Sequence, residues 1–132
     1  MMKGAVVAHT DGLLRRMVAA FLERDRPALR ELFVDDLVAY VTNADAGADR
    51  VDGSDAYIDR LLSLQAPTLS IEVTQAVMVS ADQALAMVEI RAEREGRTLH
   101  NFAAFLGRER DGRIAELWMV DAKPAYSDEF WQ

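Results

Sequence analysis

With 132 residues, 51% of them hydrophobic, the chain has the length of one domain, residues 1–132, and ample material for a single core. A net charge of −7 argues against a nucleic-acid partner, which needs a basic footprint, and against an anionic membrane surface. The absence of cysteine removes disulfides, thiolate metal sites and cysteine nucleophiles, and fits a cytoplasmic location.

Met1 to Ala8 carries one lysine and an apolar run too short for a signal peptide. Leu13, Leu14, Met17, Val18, Phe21 and Leu22 then repeat at helical spacing and define one buried face. Thr10 or Asp11 is expected to cap this helix. Asp25-Arg26-Pro27 reads as a break and restart, and Ala28, Leu29, Leu32 and Phe33 face inward from a short second helix that stops near Asp35-Asp36. Leu37 to Thr42 reads as a strand, and Asn43 to Gly53 as a loop. Ser54 is expected to cap a third helix with Tyr57, Ile58, Leu61 and Leu62 turned inward, ended by Pro67.

The second half alternates at period two. Leu69, Ile71, Val73, Val77 and Val79 share one face of a strand; Ala84, Ala86, Val88, Ile90 and Ala92 share one face of the next. Glu95-Gly96 and Asp111-Gly112 turn into two further strands, Arg97–Arg108 and Arg113–Ala122. Pro124 ends the sheet. Tyr126, Phe130 and Trp131 are too apolar for a free tail and should dock on the body, on a partner subunit or over a pocket mouth. The order is α-α-β-α-β-β-β-β, an α+β class with helices first and an antiparallel meander after them.

That order, with the strings LRELFVDDLVAYVT, GSDAYIDRLL and FLGRERDGRIAELWMVDAKP, resembles the nuclear transport factor 2-like superfamily, in particular its SnoaL-like and ketosteroid-isomerase-like members. The resemblance covers roughly residues 10 to 125. It implies a cone-shaped domain, a curved antiparallel sheet wrapped around N-terminal helices, with a pocket opening at one end. It also implies homodimers formed through the outer sheet face. Aligned on that family, the isomerase's tyrosine falls on Met17, its proton-shuttling base on Val41 and its neutral acid on Ala104. None of these three can transfer a proton, so the isomerase mechanism in that form is rejected.

The same alignment turns Met17, Phe21, Phe33, Val41 and Leu61 toward the pocket, with Ala86, Val88 and Ile90 from the middle of the sheet. From the last two strands it adds His100, Phe102, Ala104 and Leu106, and Leu117, Met119 and Asp121. Only His100 and Asp121 among these ionise. A tight turn at Asp111-Gly112 sets Phe102 opposite Asp121 and His100 diagonal to it, within reach of a long side chain. A carboxylate beside an imidazole in a poorly hydrated cavity is an acid–base unit, with Asp121 as acid or base and His100 orienting or sharing its proton. If the Asp111-Gly112 turn instead holds a bulge after a type I turn, the parity changes and Asn101 replaces His100 beside Asp121. Aspartates near strand ends also cap turns, and histidines on strands are often structural.

Ile114, Glu116, Trp118 and Val120 fall on the opposite face, and an apolar stripe there suits a dimer surface around Trp118. His9 is expected in solvent. Asp45, Asp49 and Asp52 lack the rhythm of a calcium loop, and no metal or cofactor is implied. The chain therefore points to a small-molecule pocket for an apolar or polycyclic compound. Acid–base catalysis without a cofactor (cyclisation, isomerisation, dehydration or epoxide opening) stands against non-catalytic binding of an apolar ligand. A third reading is a protein-interaction module with a vestigial pocket.

Overall fold

The computed structural model describes residues 9–132, so the reading of residues 1–8 lies outside it. The elements are α1 (Thr10–Leu22), α2 (Arg26–Leu32), β1 (Phe33–Thr42), β2 (Ala48–Asp52), α3 (Ser54–Ser63), β3 (Ser70–Met78), β4 (Gln83–Arg94), β5 (Arg97–Arg110), β6 (Arg113–Asp121) and α4 (Pro124–Trp131). The six strands form one curved sheet in the order β2-β1-β6-β5-β4-β3. Every neighbouring pair is antiparallel except β1 and β6, which run parallel. These two are far apart in the chain, and a parallel pair needs that long a connection.

Helix α1 lies across the inner face of the sheet. Leu13, Leu14, Met17, Val18 and Phe21 are buried, and each such side chain contributes about 1.5–3 kcal/mol by leaving water. Gly107 lets α1 approach β5, because a Cβ there would sit 3.0 Å from a Leu14 methyl. Asp25 caps α2 by accepting the Ala28 N–H at 3.1 Å, as the break-and-restart reading requires. The two other expected caps are replaced. His9 occupies the α1 cap position without a side-chain bond, while Thr10 is buried and donates its hydroxyl to Glu109. Gly53, at φ 95°, occupies the α3 cap position, which Ser54 was expected to fill.

The stretch from Asn43 to Gly53 is no simple loop, since Ala48–Asp52 pairs with β1 as an edge strand. Its residues are mostly exposed, so they carry no hydrophobic signal. Strand β1 also begins at Phe33, four residues earlier than the composition suggests.

Two β-bulges set which side chains face inward. In β3, Val73 pairs with Val88 and Gln75 with Met87, leaving Thr74 as an extra residue. The inward set therefore changes from Ile71 and Val73 to Ala76 and Met78, and Val77 and Val79 turn out to solvent. In β6, Glu109 pairs with Ile114 but Arg108 with Glu116, leaving Ala115 extra. The Asp111-Gly112 turn is the tight two-residue kind, with φ 55° and 80° at its central residues. The bulge beyond it reverses the parity of the hairpin.

The consequence for β5 is complete. Leu99, Asn101, Ala103 and Phe105 are buried on the inner face. His100, Phe102, Ala104 and Leu106 lie on the outer face, so all four pocket assignments on this strand are corrected. On β6, Leu117, Met119 and Asp121 keep the inner face, whereas Ile114, expected outside, is fully buried.

Candidate functional site

An apolar cavity of about 110 Å³ lies between α1, α3, α4 and the inner face of the sheet. Met17, Phe21, Val41, Leu61, Ile90 and Met119 line it, as the sequence suggested, and so does Asp121. Phe33, Val88 and Leu117 are buried core residues behind the wall. The tail forms part of the enclosure. Trp131 and Ser127 line the cavity, and Phe130 packs with Ala92 and Leu99. Arg94 donates to the Trp131 carbonyl at 2.8 Å and Arg97 to the Glu129 carbonyl at 2.7 Å, so two cations hold the C-terminal end of α4.

At the last residue of β6, the Asp121 carboxylate is anchored on one side. Its Oδ1 accepts from Asn101 Nδ2 at 2.6 Å and from the Lys123 N–H at 2.7 Å. No donor among the described residues reaches Oδ2. The backbone is fixed as well, because the Asp121 N–H donates to Thr42 Oγ1 at 2.9 Å. The bond from Lys123 is the turn-capping contact common at strand ends; here it occupies one oxygen only.

Asn101 is 1% exposed and spends its amide fully. Its Oδ1 accepts the Phe102 N–H at 2.8 Å, which can only be a donor, and this sets the orientation of the amide. Nδ2 then donates to Asp121 and, at 2.8 Å, to Ser127 Oγ. Ser127, which also lines the cavity, accepts this bond through its hydroxyl oxygen. Three elements, β5, β6 and α4, thus converge on one polar network at the edge of an apolar chamber.

His100 belongs to neither cavity nor network. It reaches Glu89 on the outer face, Nε2 to Oε2 at 2.6 Å, with Arg91 on the same carboxylate oxygen at 2.8 Å. The His100 hydrogen bond first, and the Arg91 charge after it, hold the Glu89 carboxyl below its ordinary value. A carboxylate–imidazole pair therefore exists, with a different carboxylate and on the other side of the sheet. Asn101 takes the place assigned to His100. A signal for it was present in the sequence. The tight Glu95-Gly96 turn pairs Ala92 with Leu99 and Ile90 with Asn101, so the inward face of β4 dictates an inward Asn101.

Two further polar side chains line the cavity from α3. Tyr57 is 1% exposed, packs edge-on against Phe33, and burial pushes its phenol well above the ordinary value. Arg60, one turn later, pairs with Asp49 at 3.1 Å. The loop acids thus have partners of their own, since Asp49 also takes a bond from Asn43 and Asp52 pairs with Arg50. Among the described residues no cluster of three or more His, Cys, Asp or Glu side chains could hold a metal, and no helix is long and apolar enough to cross a membrane.

Helices laid across a curved sheet enclose an apolar chamber with one anchored carboxylate at its edge. Residues 14–117 match the SnoaL-like domain model, and the chain belongs to that family. An uncharacterised protein of Mycobacterium tuberculosis (strain H37Rv) is 30% identical over 122 residues, which cover 90% of this chain and 93% of that protein. Among solved structures, Bal32a from a soil-derived mobile gene cassette has a TM-score of 0.80 at 22% identity, covering 91% of this chain and 94% of its own. A putative SnoaL-like polyketide cyclase from Jannaschia sp. CCS1 gives 0.75 at 14% identity, covering 93% of both chains. An LEH-like epoxide hydrolase of M. tuberculosis gives 0.69 at 14%, covering 89% of this chain and 86% of its own. At these identities the structures share the fold with this chain.

Proposed function

We propose that this protein takes a small, uncharged ring compound into the cavity and moves a proton on it with Asp121. The supporting observation is the asymmetry of that carboxylate. Oδ1 is held by Asn101 and a backbone N–H, while Oδ2, at the edge of an apolar chamber, has no donor among the described residues. A carboxylate so placed takes a proton from carbon or hydroxyl and returns it elsewhere on the same molecule, which is the step common to cyclisation, isomerisation and dehydration. Protonated, it can instead donate to an epoxide oxygen. The polyketide cyclase and epoxide hydrolase neighbours are in keeping with this class. Asn101 is the positioning residue, and His100 has no part in the reaction.

The chamber favours a single ring. An apolar protein cavity of ~150 Å³ holds benzene, whereas drug-sized ligands occupy roughly 300–1,000 Å³. A polycyclic compound would have to extend through the mouth or displace α4.

Cyclopentanone tests the reading without knowledge of the natural substrate. Its α-hydrogens exchange with D2O once a base removes one and an enolate oxygen forms, and NMR follows the loss of signal. The wild type should accelerate exchange over buffer, and Asp121→Asn should lose that acceleration by at least ~100-fold. Equal exchange by both proteins would remove Asp121 from the chemistry. Ketone binding with no acceleration by the wild type would favour a non-catalytic binder.

We further propose that the outer sheet face pairs with a second copy of the chain. Tyr40 and Trp118 stack there at 4.1 Å between ring centroids, beside exposed Phe102, Met87 and Val120. Pairing of Leu106 with Trp118 and of Ala104 with both Met87 and Val120 makes the patch continuous across strands.

A further inference from the structure

The Tyr57 phenol is buried inside this domain, yet none of the described residues gives its hydroxyl a hydrogen bond. Buried hydroxyls are nearly always paired, because an unmade bond leaves the full desolvation cost standing. The wall around it is almost wholly aliphatic and aromatic, with Met17, Phe21 and Leu61 beside it. From the place of buried Tyr57 on the cavity wall and its unpaired hydroxyl, we infer that Tyr57 is the residue that recognises the ligand's oxygen: it donates a hydrogen bond to the carbonyl-type oxygen of an uncharged ring compound.

The inference deepens the proposed function and rests on the cavity being the ligand site. Three features define the oxygen. It must accept, because a phenol whose deprotonation is opposed by burial is a donor. It belongs to a neutral molecule, because a carboxylate ligand would share the cavity with the charge of Asp121. The positive charge of Arg60, one turn along α3 and paired with Asp49, acts on the phenol and favours charge developing on that oxygen as a neighbouring proton leaves. Tyr57 and Arg60 come from α3 and Asp121 from β6, so the oxygen is held by one element and the proton moved by another.

Two probes of the same shape separate the hydrogen bond from the fit: cyclopentanone, and methylenecyclopentane, in which a CH2 group replaces the oxygen. NMR titration of the wild type should show the ketone binding roughly ten- to a hundredfold more tightly than the alkene. In Tyr57→Phe this preference should fall to within about threefold, with alkene binding retained. Thermal unfolding adds a readout that needs no ligand. Removing a hydroxyl that has no partner should leave the midpoint unchanged or raise it by a few degrees.

A lower midpoint for Tyr57→Phe would show that the hydroxyl already has a structural partner and would overturn the inference. So would a ketone preference that survives the substitution, or a wild type that binds both probes equally. In either of the last two cases the Asp121 reading would stand on its own exchange test. Failure of the wild type to bind either probe would overturn this inference and the cavity reading together.

Discussion

Replacing Asn101 with aspartate changes one atom's chemistry at the centre of the polar network and leaves its shape intact. The new carboxylate keeps the Phe102 N–H on one oxygen, and Ser127 can turn its hydroxyl to donate to the other. What changes is the contact with Asp121, where a donor 2.6 Å from Oδ1 becomes a second acceptor. Two carboxylates at that distance cannot both ionise, so the folded pair retains a proton that the unfolded chain has lost above the ordinary Asp value. A pKa raised on folding destabilises increasingly as pH rises. Between ~3.9 and 7 the cost accumulates at about 1.4 kcal/mol per pH unit, giving roughly 4 kcal/mol at pH 7 and about 1.5 kcal/mol at pH 5. Urea unfolding of the wild type and Asn101→Asp at both pH values measures the difference. A loss under about 1 kcal/mol at pH 7, or one independent of pH, would mean that Asn101 and Asp121 do not touch. The parity assigned to β5 would then be wrong, and His100 would face the cavity after all.

Other outcomes follow from the packing and the outer face. Gly107→Val should destabilise by about 1–3 kcal/mol in chemical denaturation, since its side chain must displace Leu14 and Leu117, whereas equal stability would show that α1 does not approach β5 so closely. The Glu89 carboxyl, held down by His100 and Arg91, stabilises the fold above the ordinary value of 4.5, and that support is lost as pH falls through the lower folded value. The difference in melting temperature between the wild type and Glu89→Gln should therefore be present at pH 6 and shrink steadily as the pH is lowered below 4.5; a difference independent of pH would show that the carboxylate is not held by these partners. Trp118→Glu should halve the mass found by light scattering if the outer face joins two copies, and an unchanged dimer would place the interface elsewhere.

Much of the architecture was legible in the sequence because it is encoded in local periodicity. The helical spacing from Leu13 to Phe21, the alternation from Ala84 to Ala92 and the turn chemistry of Glu95-Gly96 and Asp111-Gly112 each read correctly. Strand β2 was not legible. An exposed edge strand buries little, and the polar stretch around Asp49 and Arg50 has the composition of a loop. Half the site was legible too. The end of β6 turns Asp121 inward whichever residue of β5 lies beside it.

The cavity lining was the mixed case. The inward residues of α1 and α3 follow from spacing alone, so Met17, Phe21 and Leu61 could be placed without a sheet register. Tyr57 could be placed inside by the same spacing, but nothing in the sequence shows that its hydroxyl finds no partner among the described residues.

The sequence by itself determined the first three helices and five of the six strands, which helix faces are buried, and that an ionisable Asp121 lies among apolar neighbours. The tertiary structure decided what stands beside that aspartate, between a β4 register that pointed to Asn101 and a tight Asp111-Gly112 turn that pointed to His100. One unpaired residue, Ala115, shifts the hairpin by a single position. In a period-two structure such a slip exchanges the two faces of a strand. It moves His100 out to Glu89 and brings Asn101 in to Asp121. The bulge has no local signature, since an alanine inside a strand fits a regular ladder as well as an interrupted one. It is selected by what must be covered: with it, Ile114, Leu99 and Phe105 are buried and the amide of Asn101 is fully bonded.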